Sequence, residues 1–426
     1  MKITQYPNLE ETLYETVLPN GLPVCVLPKK GFIKKCAYFV TNYGSIDTDF
    51  TWQGKQYHTP AGVAHYLEHK MFDLEGRDVM AEFSAMGANP NAFTSYSMTA
   101  YYFTCTEHFQ KCLELLLTFV STPYFTPESV EKERGIIAQE IRMYEDSADS
   151  QVYEDLFAAM YHNHPVRVPI AGTVESIEEI TAQTLYDCYA AFYHPANMML
   201  CVVGDVDPQE VVDLAEKILP KQSLPLPQRD YGPEEPMTCK TVRTKRVMDV
   251  AMTTFQMGFK MPWPGFGPQT VRQQMVGDLA AEALMGESSP LYLRLYQQGL
   301  IDSSFACGYE DLPGVSLLSC GGDSDQPEQV YEAILQEAQR IGKEGLASSL
   351  FSRLKRSSLG RRYRGLDSMD STCFRLCSAY FDGDRYLEFP TVYGDITKEE
   401  VETFIKHVVV PERCAMALVE PRQEEE

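Results

Sequence analysis

Residues 220–236, PKQSLPLPQRDYGPEEP, carry five prolines and few apolar side chains. Neither a helix interior nor a sheet interior accepts that composition, because each proline lacks a backbone N–H and fixes its own φ. The chain is therefore expected to fold as two parts, residues 1–220 and 237–426, joined by a proline-rich linker at 221–236. Both parts repeat one coarse order of elements, which points to an internal duplication. In the first, 36–46 reads as a strand, a helix starts near Pro60 and another spans 79–86. A hairpin of 91–96 and 99–106 follows, then helices at 109–121 and 127–144, a strand at 198–204 and a helix at 208–218. In the second, a strand at 250–260 precedes helices at 272–285 and 291–298. A hairpin of 303–309 and 315–321, helices at 328–342 and 346–362, and a closing strand at 415–420 complete it. The expected class is α+β: two homologous sandwich domains, each a mostly antiparallel sheet covered by helices on one face. The terminal Glu424, Glu425 and Glu426 read as a solvated end.

With 60 Asp and Glu against 37 Lys and Arg, the net charge of −23 repels phosphate backbones and anionic lipid surfaces. Neither nucleic acid nor a membrane is an expected partner. The N-terminal MKITQYPNLEETLYE has no apolar signal core, and no stretch approaches the roughly eighteen apolar residues of a membrane span. A cytoplasmic address is expected. The twelve cysteines, spread from Cys25 to Cys414, read as reduced thiols rather than a disulfide framework. Cys373 and Cys377 lie four apart on an expected helix, but no second pair completes a structural zinc site, so packing is their reading.

The chemistry is concentrated in TPAGVAHYLEHKMF, residues 59–72. Thr59 suits a helix N-cap and Pro60 the first helical position. His65 and His69 stand at i and i+4 and share a face, the arrangement two imidazoles need to meet one metal ion. Glu68 sits three residues from His65, where its carboxylate can serve as a general base without replacing a ligand. A catalytic zinc with two histidines still needs a third protein ligand if one position is kept for water. The helix TPESVEKERGIIAQEIRMYED offers Glu133 and Glu140, two turns apart on one face, with Ile136, Ile137 and Ile141 available to hold it in the core. One of these two glutamates is the expected third ligand. His162 and His164, in YHNHPVR, lie beside a proline in a loop and read as structural.

H-x-x-E-H is the inverted form of the common zinc-peptidase motif. Several segments together make the chain resemble the pitrilysin/insulinase family of zinc peptidases, and within it the bacterial members similar to mitochondrial processing peptidase. They are His65-Tyr66-Leu67-Glu68-His69; G-x-x-x-N-A-x-T from Gly87 to Thr94; Glu133 and Glu140; IAGTVESIEEIT at 170–181; and FYHPANMMLCVVGDVDP at 192–208. The resemblance implies two homologous domains closing as a clamshell and a zinc metalloendopeptidase acting on short or unstructured peptides in an enclosed chamber. It assigns one zinc ion per chain to His65, His69 and Glu140, the catalytic base to Glu68, and a supporting catalytic role to Glu133. Asn91, Ala92 and Phe93 fall on the edge strand to which an extended peptide substrate would add. The family's arginine, with a tyrosine seven residues on, is incomplete here: Arg294 matches the first, but position 301 is Ile, and the nearby phenols are Tyr292 and Tyr296. The implied partner is a related subunit supplying that pair in a heterodimer, or a second copy in a homodimer. The alternative function is a non-cleaving peptide-binding or assembly subunit of the same family.

Overall fold

The computed structural model describes residues 1–422, so the glutamates read as a solvated end lie outside the described residues. The first sheet is built from β1 (Lys2–Tyr6), β2 (Glu11–Val17), β3 (Pro23–Pro28), β4 (Lys35–Thr41), β5 (Asn89–Thr94), β6 (Thr99–Cys105) and β7 (Met198–Gly204). Its order is β1-β2-β3-β7-β4-β6-β5, antiparallel except for the parallel pair β3 and β7. The second sheet contains β8 (Arg243–Met248), β9 (Thr254–Lys260), β10 (Ala306–Leu312), β11 (Val315–Asp323) and β12 (Cys414–Pro421). Its order is β8-β12-β9-β11-β10, again antiparallel apart from one parallel pair, β8 and β12. Setting β1 and β2 aside, the two orders superimpose strand for strand, so the duplication read from the sequence is present in the topology.

Alternation along the strands decides how the sheets are covered. On β4, Cys36, Tyr38 and Val40 face one core while Ala37 and Phe39 face another. β7 is buried along its whole length. A strand apolar on both sides needs cover on both sides, and the cover expected on one face is found on two. The extra layer is exchanged between the halves. The helix Ala148–Met160, which the sequence reading did not assign, lies on the second sheet, packing Val152, Leu156 and Met160 against Leu317, Ala417 and Val419. In return the helix Met369–Phe381 lies on the first sheet, where Cys373, Leu376 and Cys377 join the core of Cys36, Tyr38 and Cys201. Tyr38 Oη donates to Asp370 at 2.7 Å and pins that helix in place. All twelve cysteines are free thiols and ten are buried, which fits their reading as packing residues. Among the described residues no helix is long and apolar enough to cross a membrane.

We propose 1–220, 221–236 and 237–426 as the domain partition, with the joining segment held rather than loose. Gln228–Arg229 forms a short strand on Asp49–Trp52. Further on, Glu235 accepts the backbone N–H groups of His162, Asn163 and His164 at 2.7, 2.9 and 3.1 Å and pairs with the buried Lys260 at 2.8 Å. Burial pushes the Glu235 carboxyl up, but Lys260 and the three N–H groups overcome it and hold its pKa at about 2. Its contribution to stability is therefore complete above the ordinary carboxylate value of 4.5 and is lost as pH falls towards 2. Glu235→Ala is expected to cost about 3 kcal/mol, because it leaves three backbone donors unpaired and a buried ammonium without its counter-charge, with only the Met160 carbonyl still accepting from Lys260. Denaturant unfolding at pH 7 measures that loss, and the deficit should shrink when the melt is repeated near pH 3.

Candidate metal centre

The motif helix runs Val63–Lys70, three residues later than its expected start. Thr59 does not cap it, because its hydroxyl and its backbone N–H both donate to Thr48 O. Gly62 is the N-cap instead, at φ 92, where a Cβ would stand 2.4 Å from the carbonyl oxygen of Ala171. Only glycine accepts both that backbone and that approach. Tyr66 and Leu67 are fully buried, and Tyr66 Oη donates to Val130 O on the neighbouring helix. That neighbour, Pro127–Glu145, starts as expected at Thr126, with a capping box to Ser129 and proline at its first position. Ile137 and Ile141 hold it in the core, while Ile136, also expected there, is exposed.

The two helices bring His65, His69 and Glu140 together, with one ligand atom from each lying within 4.8 Å of the others. Ligands about 2.0–2.2 Å from a tetrahedral ion sit roughly 3.3–3.6 Å apart. Glu140 Oε2 is 3.4 Å from His69 Nε2, and Glu140 Oε1 is 3.7 Å from His65 Nε2, so the residues fit a zinc ion. Glu133 touches the other side of the ring: its Oε1 lies 2.9 Å from His69 Nδ1. A proton on Nδ1 donated to Glu133 leaves Nε2 as the free donor. Burial pulls the His69 pKa down, but Glu133, Glu140 and the charge of Glu68 outweigh it and raise it to about 10. His65 first, then His69, hold the Glu140 carboxyl far below its ordinary range. The carboxylates of this cluster thus favour positive charge among them.

Glu68 stands beside this group without belonging to it. Its Oε2 accepts the Thr94 hydroxyl at 2.7 Å, and both residues line one cavity of about 430 Å³ with His65, His69 and Glu140. Ala92 and Phe93 of β5 also line it. Asn91 does not; it is exposed, and its Nδ2 donates to Tyr102 Oη at 3.1 Å. β5 is the last strand of its sheet, so one row of its backbone groups is unpaired. Three contributors were given no role from the sequence. Thr94 could have been found by alternation, since it shares a strand face with Ala92. Tyr144, four residues after Glu140, donates to Glu140 Oε1 at 2.8 Å, a neighbour the helical period predicts. Tyr153 reaches the cavity from the exchanged helix and donates to Glu310 of the second half at 2.7 Å, which no local pattern reveals.

The second half does not repeat the site. In chain order its helices Pro268–Met285 and Ser348–Gly365 correspond to the motif helix and the Glu140 helix. They bring together Asp278 and Glu282, four apart, with Arg362 and Arg361 as their ion-pair partners. Both carboxylates are tied to guanidinium groups, and no second metal-capable trio occurs among the described residues. Arg294 lies on the helix Pro290–Gln297, 3.7 Å from Glu337, and does not line the metal cavity. His164 is structural as read: it is buried, Nε2 donates to Pro313 O at 2.9 Å, Nδ1 accepts from Val166 N, and burial lowers its pKa to about 4.

Comparison with known proteins agrees with this geometry. The family model for insulinase, peptidase family M16, matches residues 53–174, which hold all of the metal-site residues. A relative from Bacillus subtilis (strain 168), named as the uncharacterized zinc protease YmfH, is 38% identical over 99% of this chain and 100% of its own length. The chain belongs to peptidase family M16. A second M16 model, described as the inactive domain, matches residues 179–358, outside the metal-site residues. A solved M16-like peptidase from Alicyclobacillus acidocaldarius superimposes with a TM-score of 0.93 at 33% identity, covering 98% of this chain and 100% of that one. A probable mitochondrial-processing peptidase subunit beta of Schizosaccharomyces pombe is 28% identical over 59% of this chain and 58% of its own. Zinc is the cofactor of this M16 chain, as the sequence implies.

Proposed function

We propose that this M16 protein is a zinc-dependent metalloendopeptidase that hydrolyses short or unstructured peptides, acting as the catalytic subunit of a heterodimer. The observation that carries the reading is the meeting, in one cavity, of a three-ligand metal group, a carboxylate outside that group and a free strand edge. When bound, zinc supplies Lewis-acid polarisation of the scissile carbonyl and makes water more acidic. The chain does the rest. His65, His69 and Glu140 hold the ion, and Glu133 keeps the His69 ring turned with Nε2 towards it. Glu68 takes a proton from the attacking water and delivers it to the leaving nitrogen. β5 aligns an extended peptide by main-chain pairing, to which Asn91, Ala92 and Phe93 contribute their backbone groups. A folded substrate has no such strand to offer, which limits the enzyme to unstructured chains in an enclosed chamber. Buried free thiols fit a reducing compartment, and we place the protein in the cytoplasm.

About one zinc per chain by elemental analysis, together with Glu68-dependent cleavage of a quenched fluorescent peptide library, tests the reading. The other reading, a non-cleaving peptide-binding or assembly subunit, draws on Arg294 being tied to Glu337 away from the cavity. Absence of zinc from the purified chain would favour it. Thr94 gives a finer check. Thr94→Val is expected to lower kcat about tenfold with little change in KM, because Glu68 loses the donor that aims it while the strand edge is intact. Thr94→Ser, which keeps the hydroxyl, should restore most of the rate.

A further inference from the structure

The two faces of β5 lead to different halves of the molecule. Thr94 points to the motif helix, where it reaches Glu68, and Ala92 packs into the same core. Phe93 borders the metal cavity too, but it packs against the other core. Its ring lies 6.2 Å from Tyr102 and 5.8 Å from Phe374, the latter on the exchanged helix Met369–Phe381 of the second half. Phe374 is 40% exposed, yet its helix is fixed by the Tyr38–Asp370 hydrogen bond and by the buried Cys373 and Cys377 on either side. It is an aromatic surface held in one place and only half covered.

A peptide paired with the free edge of β5 would run about 4.8 Å from it, its side chains alternating between the two faces. The side chain directly opposite Phe93 would have its Cβ about 4.5–5.5 Å from that of Phe93 and would leave the sheet on the same side. That is the side on which Phe374 stands. The residues before and after it would point to the metal face instead. From this geometry we infer that Phe93 and Phe374 form an apolar subsite for one bulky aliphatic or aromatic side chain of the peptide, of opposite parity to those facing the motif helix. The second half thus selects sequence at a site whose chemistry belongs to the first. The inference rests on the peptide-binding part of the proposed function.

The test uses quenched decapeptides of alanine, serine and glycine, each with a single phenylalanine moved along one position at a time, and cleavage sites mapped by mass spectrometry. Phenylalanine should raise kcat/KM about tenfold at alternate positions near the scissile bond. Phe374→Ala should abolish that gain at one position while leaving cleavage of the phenylalanine-free peptide unchanged, and Phe374→Leu should retain most of it. An equal loss on every peptide, or no loss on any, would overturn the subsite. If the wild-type chain cleaves nothing, fluorescence anisotropy of the same labelled peptides on the zinc-loaded protein reads the subsite apart from catalysis. A binding preference lost in Phe374→Ala supports it, and its absence in the wild type overturns it.

Discussion

Glu68→Gln should lower kcat/KM for peptide hydrolysis by about 10³-fold or more while leaving the zinc content at one per chain. A thousandfold loss corresponds to about 4 kcal/mol of transition-state stabilisation, within the range of a positioned proton-transfer group. The substitution is nearly isosteric, and its carbonyl oxygen can still accept the Thr94 hydroxyl, so the cavity wall is preserved. What is lost is the ability to take a proton. Because Glu68 lies outside the His65, His69 and Glu140 group, the ion should stay. His69→Ala is the matching control, since it removes a ligand and should empty the site and abolish the activity together. Retention of more than about a tenth of the wild-type rate by Glu68→Gln would refute the base assignment, and loss of zinc from it would show that Glu68 is itself a ligand.

The metal group was legible because its geometry is local. Four residues of helix put His65 and His69 on one face, and the spacing of Glu133 and Glu140 offered two candidates for the third ligand. Spacing alone did not choose between them; the resemblance implied Glu140, and the tertiary structure sets Glu140 against both imidazoles and Glu133 against the far nitrogen of one. The inner strands and the repeated hairpins were legible too, since their turns and apolar runs are written in the chain, but β1, β2, β3 and β8 went unassigned and the order of strands within each sheet is a tertiary property. Exchange of the helices Ala148–Met160 and Met369–Phe381 was not legible either. Each is apolar on the side that packs, but nothing local says which sheet receives it. The motif helix starts late for a related reason: Thr59 and Pro60 have the right chemistry for a cap, yet a hydrogen bond to Thr48, eleven residues back along the chain, claims the threonine. Tyr153 and Phe374 escaped notice because their partners, Glu310 and Phe93, belong to the opposite half.

Mixing the chain with a related M16 chain that carries the arginine and tyrosine, and lacks H-x-x-E-H, should raise kcat/KM by about 10²–10³-fold, the value of one oxyanion donor. Three phenols line the metal cavity, and two are committed: Tyr144 donates to Glu140 and Tyr153 to Glu310. In the second half Ile301 is buried where the tyrosine would be, and Tyr292 is buried in a stack with Tyr296. Arg294 is turned to Glu337. The remaining phenol is Tyr96, whose ring packs 5.6 Å from that of Phe157 at the cavity wall. A partner chain and Tyr96 are thus rival sources of the same hydrogen bond, and one set of rates separates them. Stimulation by the related chain, with co-elution as a one-to-one complex and no effect of Tyr96→Phe, is the result expected of the heterodimer. Fast cleavage by the chain alone, falling about a hundredfold in Tyr96→Phe, would overturn it, because the donor would then be built into the first half and a single chain, or two identical ones, would be a complete enzyme.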